Sequence, residues 1–152
     1  MKEQTRQQQV PGAVAADPGA QGASATAGGS LSDPQAVRAF AIDVARSLRD
    51  DKCEDIVVLD VRGLSNVTDY IVIGSGTSQR QMGSALQHVE EVATNQRVGR
   101  LQSTRDDRSL WLLADFVDVV VHLFEPNTRA YYDLEMLWGD ALPVEWNDRE
   151  EP

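Results

Sequence analysis

The sequence predicts an α/β protein built as a single domain, with one mixed five-stranded sheet flanked by helices. Short β-branched runs alternate with segments whose apolar residues recur every three or four positions, the signatures of strand and of amphipathic helix. The 152 residues are 41% hydrophobic and 25% charged, an ordinary globular balance that supplies one core rather than two. No internal repeat divides the chain, so helices packed on one sheet are the natural layering.

Residues 1–30 are rich in Gly, Ala, Ser and Gln and contain almost no large apolar side chain, so they cannot offset the entropy of ordering and read as a disordered tail. Ordered structure is expected from Leu31. Ser32 can cap a helix, Gln35 can return the bond, and Pro34 sits where a first turn loses no needed donor. Val37, Phe40, Ala41, Val44 and Leu48 then form one apolar stripe on a helix ending near Leu48.

Asp55–Val61 and Asp69–Ile73 read as neighbouring strands. The loop Gly74-Ser75-Gly76-Thr77-Ser78 opens a second helix, with Met82, Ala85, Leu86, Val89 and Val92 on its buried face. Arg100–Thr104, Leu110–Ala114 and Val119–Phe124 suggest three more strands, the last two joined by the tight connection Asp115-Phe116-Val117-Asp118. Pro126 admits a short helix through Tyr131, Leu134, Leu137 and Trp138. From Gly139 to Pro152 the chain is acidic, with Asp140, Glu145, Asp148, Glu150 and Glu151 against Arg149, and Leu142, Val144 and Trp146 alternate as in an extended flap.

Charge narrows the function. Lys and Arg total 14 against 24 Asp and Glu, a net charge of −10, which disfavours a protein that grips DNA or RNA by neutralising phosphates and favours basic protein partners. Lys2 and Arg6 balance Glu3 and Asp17 in residues 1–30, so the whole −10 belongs to the part expected to fold. The single cysteine, Cys53, can form no internal disulfide, which suits the reducing cytoplasm. No run approaches the ~20 apolar residues of a membrane span.

The catalytic readings are weak. Gly76, Thr77 and Ser78 lead into a helix N-terminus that can hold an anion, yet the loop lacks the Lys of a phosphate loop and the third Gly of a dinucleotide fingerprint. Two-metal nucleotidyl transfer needs paired carboxylates on one strand face, and two residues beyond Asp118 stands Val120. His88 and His122 lack zinc spacing, and no Ser sits in a nucleophile elbow. No cofactor and no metal are expected. The binding signal is the aromatic hairpin: Trp111, Leu113 and Asp115 alternate with Leu112, Ala114 and Phe116, so one face can be core and the other a partner surface with Asp115 and Asp118 at its rim.

Five segments carry a specific resemblance: DIVVLDV at 55–61, TDYIVIGSGTS at 68–78, WLLADF at 111–116, DVVVH at 118–122 and YDLEMLW at 132–138. In this order they resemble the ribosomal silencing factor RsfS, or Iojap, family over residues 31–138. The acidic segment 139–152 lies outside the resemblance, where it can shield the partner surface or pair with the partner. The resemblance implies a nucleotidyltransferase-like fold without transferase activity. It also implies binding to the large ribosomal subunit at its fourteenth ribosomal protein, on the face that meets the small subunit, so that subunit joining is blocked and translation slows when nutrients are scarce.

Carried over residue by residue, the resemblance puts Trp111, Leu112, Asp115 and Phe116 in the contact segment, with Asp118, Gly76, Thr77 and Ser78 nearby. Homodimer formation stays open, and a nucleotide- or phosphate-binding enzyme is the alternative function. One departure stands out: the family's turn reads D-x-G-D, and here Val117 replaces the Gly. A β-branched residue resists positive φ, so the turn must change or carry strain.

Overall fold

The computed structural model describes residues 33–99, 102–105 and 110–147. The expected disordered tail, residues 1–30, lies outside them, as does Ser32. The first cap is instead Asp33, whose carboxylate accepts from the Gln35 N–H at 3.0 Å ahead of helix α1, Pro34–Asp50. With Asp33 as the cap, Pro34 falls at the first helical position, where no needed donor is lost. Helix α1 buries Val37, Phe40, Ala41, Val44, Ala45 and Leu48, the expected stripe.

Helix α1 stops in a Schellman turn. Lys52 takes the left-handed conformation, φ 71°, while its N–H and that of Cys53 donate to the carbonyls of Arg49 and Leu48. The same turn closes helix α2, Gln79–Asn95, with Arg97 at φ 62° and the Arg97 and Val98 N–H groups on Thr94 and Ala93. In both turns the residue after the left-handed one, Cys53 or Val98, is buried against the helix it ends. Burial, with Asp51 nearby, pushes the Cys53 thiol up to about 11, so it stays protonated and unreactive.

The five expected strands are present: β1 Glu54–Asp60, β2 Tyr70–Ser75, β3 Gln102–Arg105, β4 Trp111–Asp115 and β5 Val119–Phe124. A two-residue strand, β6 Leu142–Pro143, adds a sixth from the acidic C-terminal segment. The spatial order is β3-β4-β5-β2-β1-β6. Only β2 and β5 run parallel, Tyr70 against Val119 through Ser75 against Phe124, and every other pair is antiparallel.

The two faces of the sheet are covered unequally. Helices α1 and α2, each 17 residues long, pack on one face over Val58, Tyr70, Val72, Leu112, Ala114, Val119, Val121 and Leu123. The opposite face holds a smaller cluster of Leu59, Val61, Ile71, Ile73, Phe124 and Leu134, against which Trp111 and Trp138 are only partly buried. Its cover is two short segments, α3 Pro126–Tyr132 and α4 Leu134–Leu137.

Those two segments correct the expectation of one helix through Trp138. Asp133 breaks it with φ 49°, and its own carboxylate then caps α4 at the Met136 N–H. Beyond β6 the chain is strapped onto the helical side, where the Val144 N–H donates to the Val58 carbonyl, the Trp146 indole to the Ile56 carbonyl, and the Arg46 guanidinium to the Trp146 carbonyl. Among the described residues no helix is long and apolar enough to cross a membrane.

Candidate partner-binding surface

The residues singled out by sequence do not form one patch. Trp111 lies at one end of β4, in a row with Phe124 and Ser75 across β5 and β2. The turn from Phe116 to Asp118 lies at the other end of that strand, ~13 Å away at four residues of extended chain. Leu112 and Phe116 face inward. Phe116 packs edge-on against Phe40 with ring centroids 5.5 Å apart, so its ring is not presented to a partner. Asp118 is half-buried at the start of β5, with its carbonyl accepting from the Asp69 and Tyr70 N–H groups.

Asp115 is buried as well, and its carboxylate accepts from the Val117 N–H at 2.8 Å. Burial raises its pKa, and that one hydrogen bond opposes the rise. The Asp118 N–H donates to the Phe116 carbonyl around Val117, whose φ is 77°. The chain therefore keeps a tight turn with positive φ despite the valine, and carries the strain. Asp115 shapes this turn from within.

Gly76, Thr77 and Ser78 sit at the opposite end of the sheet from that turn, near the Trp111 row. Gly76 is buried with its N–H on the Phe124 carbonyl, and a Cβ there would collide with the buried Met82 side chain, which would have to shift. Ser78 caps α2 by accepting from the Gln81 N–H, and the Gln81 side-chain oxygen takes both the N–H and the hydroxyl of Thr77. These side chains occupy donors that an anion would need. Among the described residues no group of three or more His, Cys, Asp or Glu is placed to hold a metal ion.

What the structure does gather is an aromatic cluster on the thinly covered face. Trp111 stacks on Phe124 at 5.0 Å and leans on Tyr132 at 4.8 Å, while its indole N–H donates to His122 Nδ1 at 3.1 Å. Tyr131 meets Tyr132 edge-on. Around this cluster, apolar surface is open: Tyr131 is 81% exposed, Met136 75%, Leu137 62% and Tyr132 50%. Asp133, Glu135 and Asp140 are interspersed with these residues.

The mount beneath is a buried arginine. Arg129 donates to the Ser75 hydroxyl at 2.8 Å and, through Nε and Nη2, to both oxygens of Glu135, tying α3 to the end of β2 and to α4. Arg129 is consumed in this pair with Glu135, and the exposed residues Tyr131, Tyr132, Asp133, Met136 and Leu137 beside it are apolar or acidic. The sequence reading placed Tyr131 and Leu137 on one helix with Leu134 and Trp138 and did not single out Met136; in the fold the helix breaks at Asp133 and all three are exposed.

Residues 34–152 match the family model described as ribosomal silencing factor during starvation, RsfS. The chain belongs to the RsfS family. It is 39% identical over 101 residues to the ribosomal silencing factor RsfS of Bacillus subtilis, covering 66% of this chain and 86% of that one. It is also 36% identical over 103 residues to the mouse protein named mitochondrial assembly of ribosomal large subunit protein 1, covering 65% and 45% of the two chains. Among solved structures, a Chromobacterium violaceum protein superposes with a TM-score of 0.64 at 31% identity, over 76% of this chain and 97% of that one.

Within this RsfS-family fold two measurable consequences follow. Val117→Gly removes the positive-φ penalty and is expected to raise stability by about 1 kcal/mol in urea denaturation, whereas an unchanged or lower midpoint contradicts the strained turn. The second concerns His122, which burial holds neutral by pushing its pKa down to about 3. Because the unfolded imidazole protonates near 6.5 and the folded one does not, its contribution is full above pH 6.5 and declines as pH falls toward 3. Urea midpoints measured from pH 6.5 to 4.5 should fall more steeply for the parent than for His122→Asn. Equal slopes would show that the histidine is not held neutral.

Proposed function

We propose that this chain binds the large ribosomal subunit through the face formed by Trp111, Tyr131, Tyr132, Met136 and Leu137, and thereby blocks association with the small subunit. The observation that carries this reading is the open aromatic cluster bordered by Asp133 and Asp140, in a chain of net charge −10. Aromatic anchors with an acidic rim suit a basic protein partner, since the rings supply desolvated contact area and the carboxylates steer approach. Membership of the ribosomal silencing family supplies the class of partner. From the resemblance in sequence we take the finer statement, docking at the fourteenth protein of the large subunit in the cytoplasm, as part of the proposal.

The mechanism is occlusion. A domain seated on the surface of one subunit prevents approach of the other without any covalent step, so the chain needs no cofactor and no turnover. The alternative of a nucleotide- or phosphate-binding enzyme draws no support from the loop at Gly76–Ser78, where Thr77 and Gln81 N–H groups are engaged by neighbouring side chains.

Co-sedimentation with isolated large subunits, with subunit joining followed by light scattering, tests this. Tyr131→Ala should weaken binding about tenfold or more with stability unchanged, because the ring is exposed in the free protein. Trp111→Ala should cost more, at least ~2 kcal/mol, as buried anchors do. Glu91→Ala, on the exposed side of α2, should change neither assay. If folded Tyr131→Ala and Trp111→Ala bind and block joining like the parent, docking is on another face.

A further inference from the structure

We infer that His122 is a positioning residue for the docking face, acting through a neutral Nδ1 that fixes the indole of Trp111. This deepens the proposed function and rests on it. An indole N–H only donates, so the 3.1 Å contact from Trp111 Nε1 requires His122 Nδ1 to be the unprotonated nitrogen, with the ring proton on Nε2. The imidazole is itself immobile. Its Cα lies between Leu113 on β4 and Ile73 on β2, its ring lies nearly parallel to Phe124, and only 7% of the residue is exposed.

A fixed acceptor beneath a half-buried donor has two effects on recognition. The indole N–H is satisfied within the chain, so a partner meets the apolar part of Trp111 and need not strip water from an N–H that it cannot match. The ring is also held in one orientation before contact, between Phe124 and Tyr132, so its rotamer entropy is lost on folding and not on binding. The His122 imidazole accepts from the Trp111 indole within the chain.

The test uses the full chain and two readouts. In 15N-resolved spectra the Trp111 indole resonance is identified by its loss in Trp111→Phe. His122→Phe, which fills the site without an acceptor, should leave circular dichroism unchanged, move that resonance toward the free-indole position, speed its exchange, and weaken binding to large subunits roughly fivefold or more. His122→Asn, which puts an amide oxygen near the place of Nδ1, should restore most of both. His122→Leu serves as the apolar probe if phenylalanine overfills the site. In the Trp111→Phe background, which has no N–H to hold, the His122 changes should have no further effect on binding.

An unmoved indole resonance in the folded His122→Phe or His122→Leu chain overturns the inference, and so does an equal loss of binding in the Trp111→Phe background. The two proposals fail separately. If Trp111→Ala binds normally the docking reading is lost, while the indole resonance still reports whether His122 fixes the ring.

Discussion

The sheet has two faces to bury and the chain supplies long helices to only one of them. Helices α1 and α2 bring two apolar stripes to one side, where Phe40, Val44, Leu48, Met82, Leu86 and Val89 close a continuous core. The other side receives α3 and α4, too short to cover Trp111 or to bury their own Tyr131, Met136 and Leu137. A half-covered apolar sheet face is costly in a free protein at about 25 cal/mol per Å² of apolar surface left in water, and it is the kind of surface that another macromolecule completes.

That face keeps its shape because of a few polar contacts with little freedom. Arg129 is buried between Ser75 and Glu135, a bidentate pair whose loss would leave a charge without a partner, and it sets where α3 and α4 sit on β2. Asp133, in the left-handed conformation, ends one segment and starts the next, which rotates Met136 and Leu137 away from the sheet. His122 accepts from the Trp111 indole, which lies between Phe124 and Tyr132. Each of these groups acts on the surface from behind, and none is itself prominent on it.

Much of the fold was legible in the sequence because its signals are local. The three- and four-residue spacing of Val37 to Leu48 and Met82 to Val89, the β-branched runs, and Ser78 as a cap all hold at the expected places. What escaped depends on tertiary context. Ser and Asp are both good caps, so the sequence alone does not single out Asp33, which the fold uses. Leu142 and Pro143 pair as a strand only because β1 leaves an edge for them.

The candidate site was less legible for the same reason. From Trp111 to Phe116 every position but Asp115 is apolar, so alternation alone cannot tell which set faces the helices; in the fold Leu112 and Phe116 do, and Trp111 does not. Val117 was recognisable as a conflict, and the conflict is real, since the turn holds φ 77° because Asp115 accepts from the Val117 N–H and the two strands fix the ends. The central claim is that the Trp111–Leu137 face meets the large subunit, and site-specific photo-crosslinking tests it most directly. With a benzophenone amino acid in place of Tyr131, and separately in place of Glu91 on α2, the account predicts a crosslink from position 131 to a basic protein of the isolated large subunit and none from position 91. Crosslinks from position 91 alone, or equal yields from both, would contradict it.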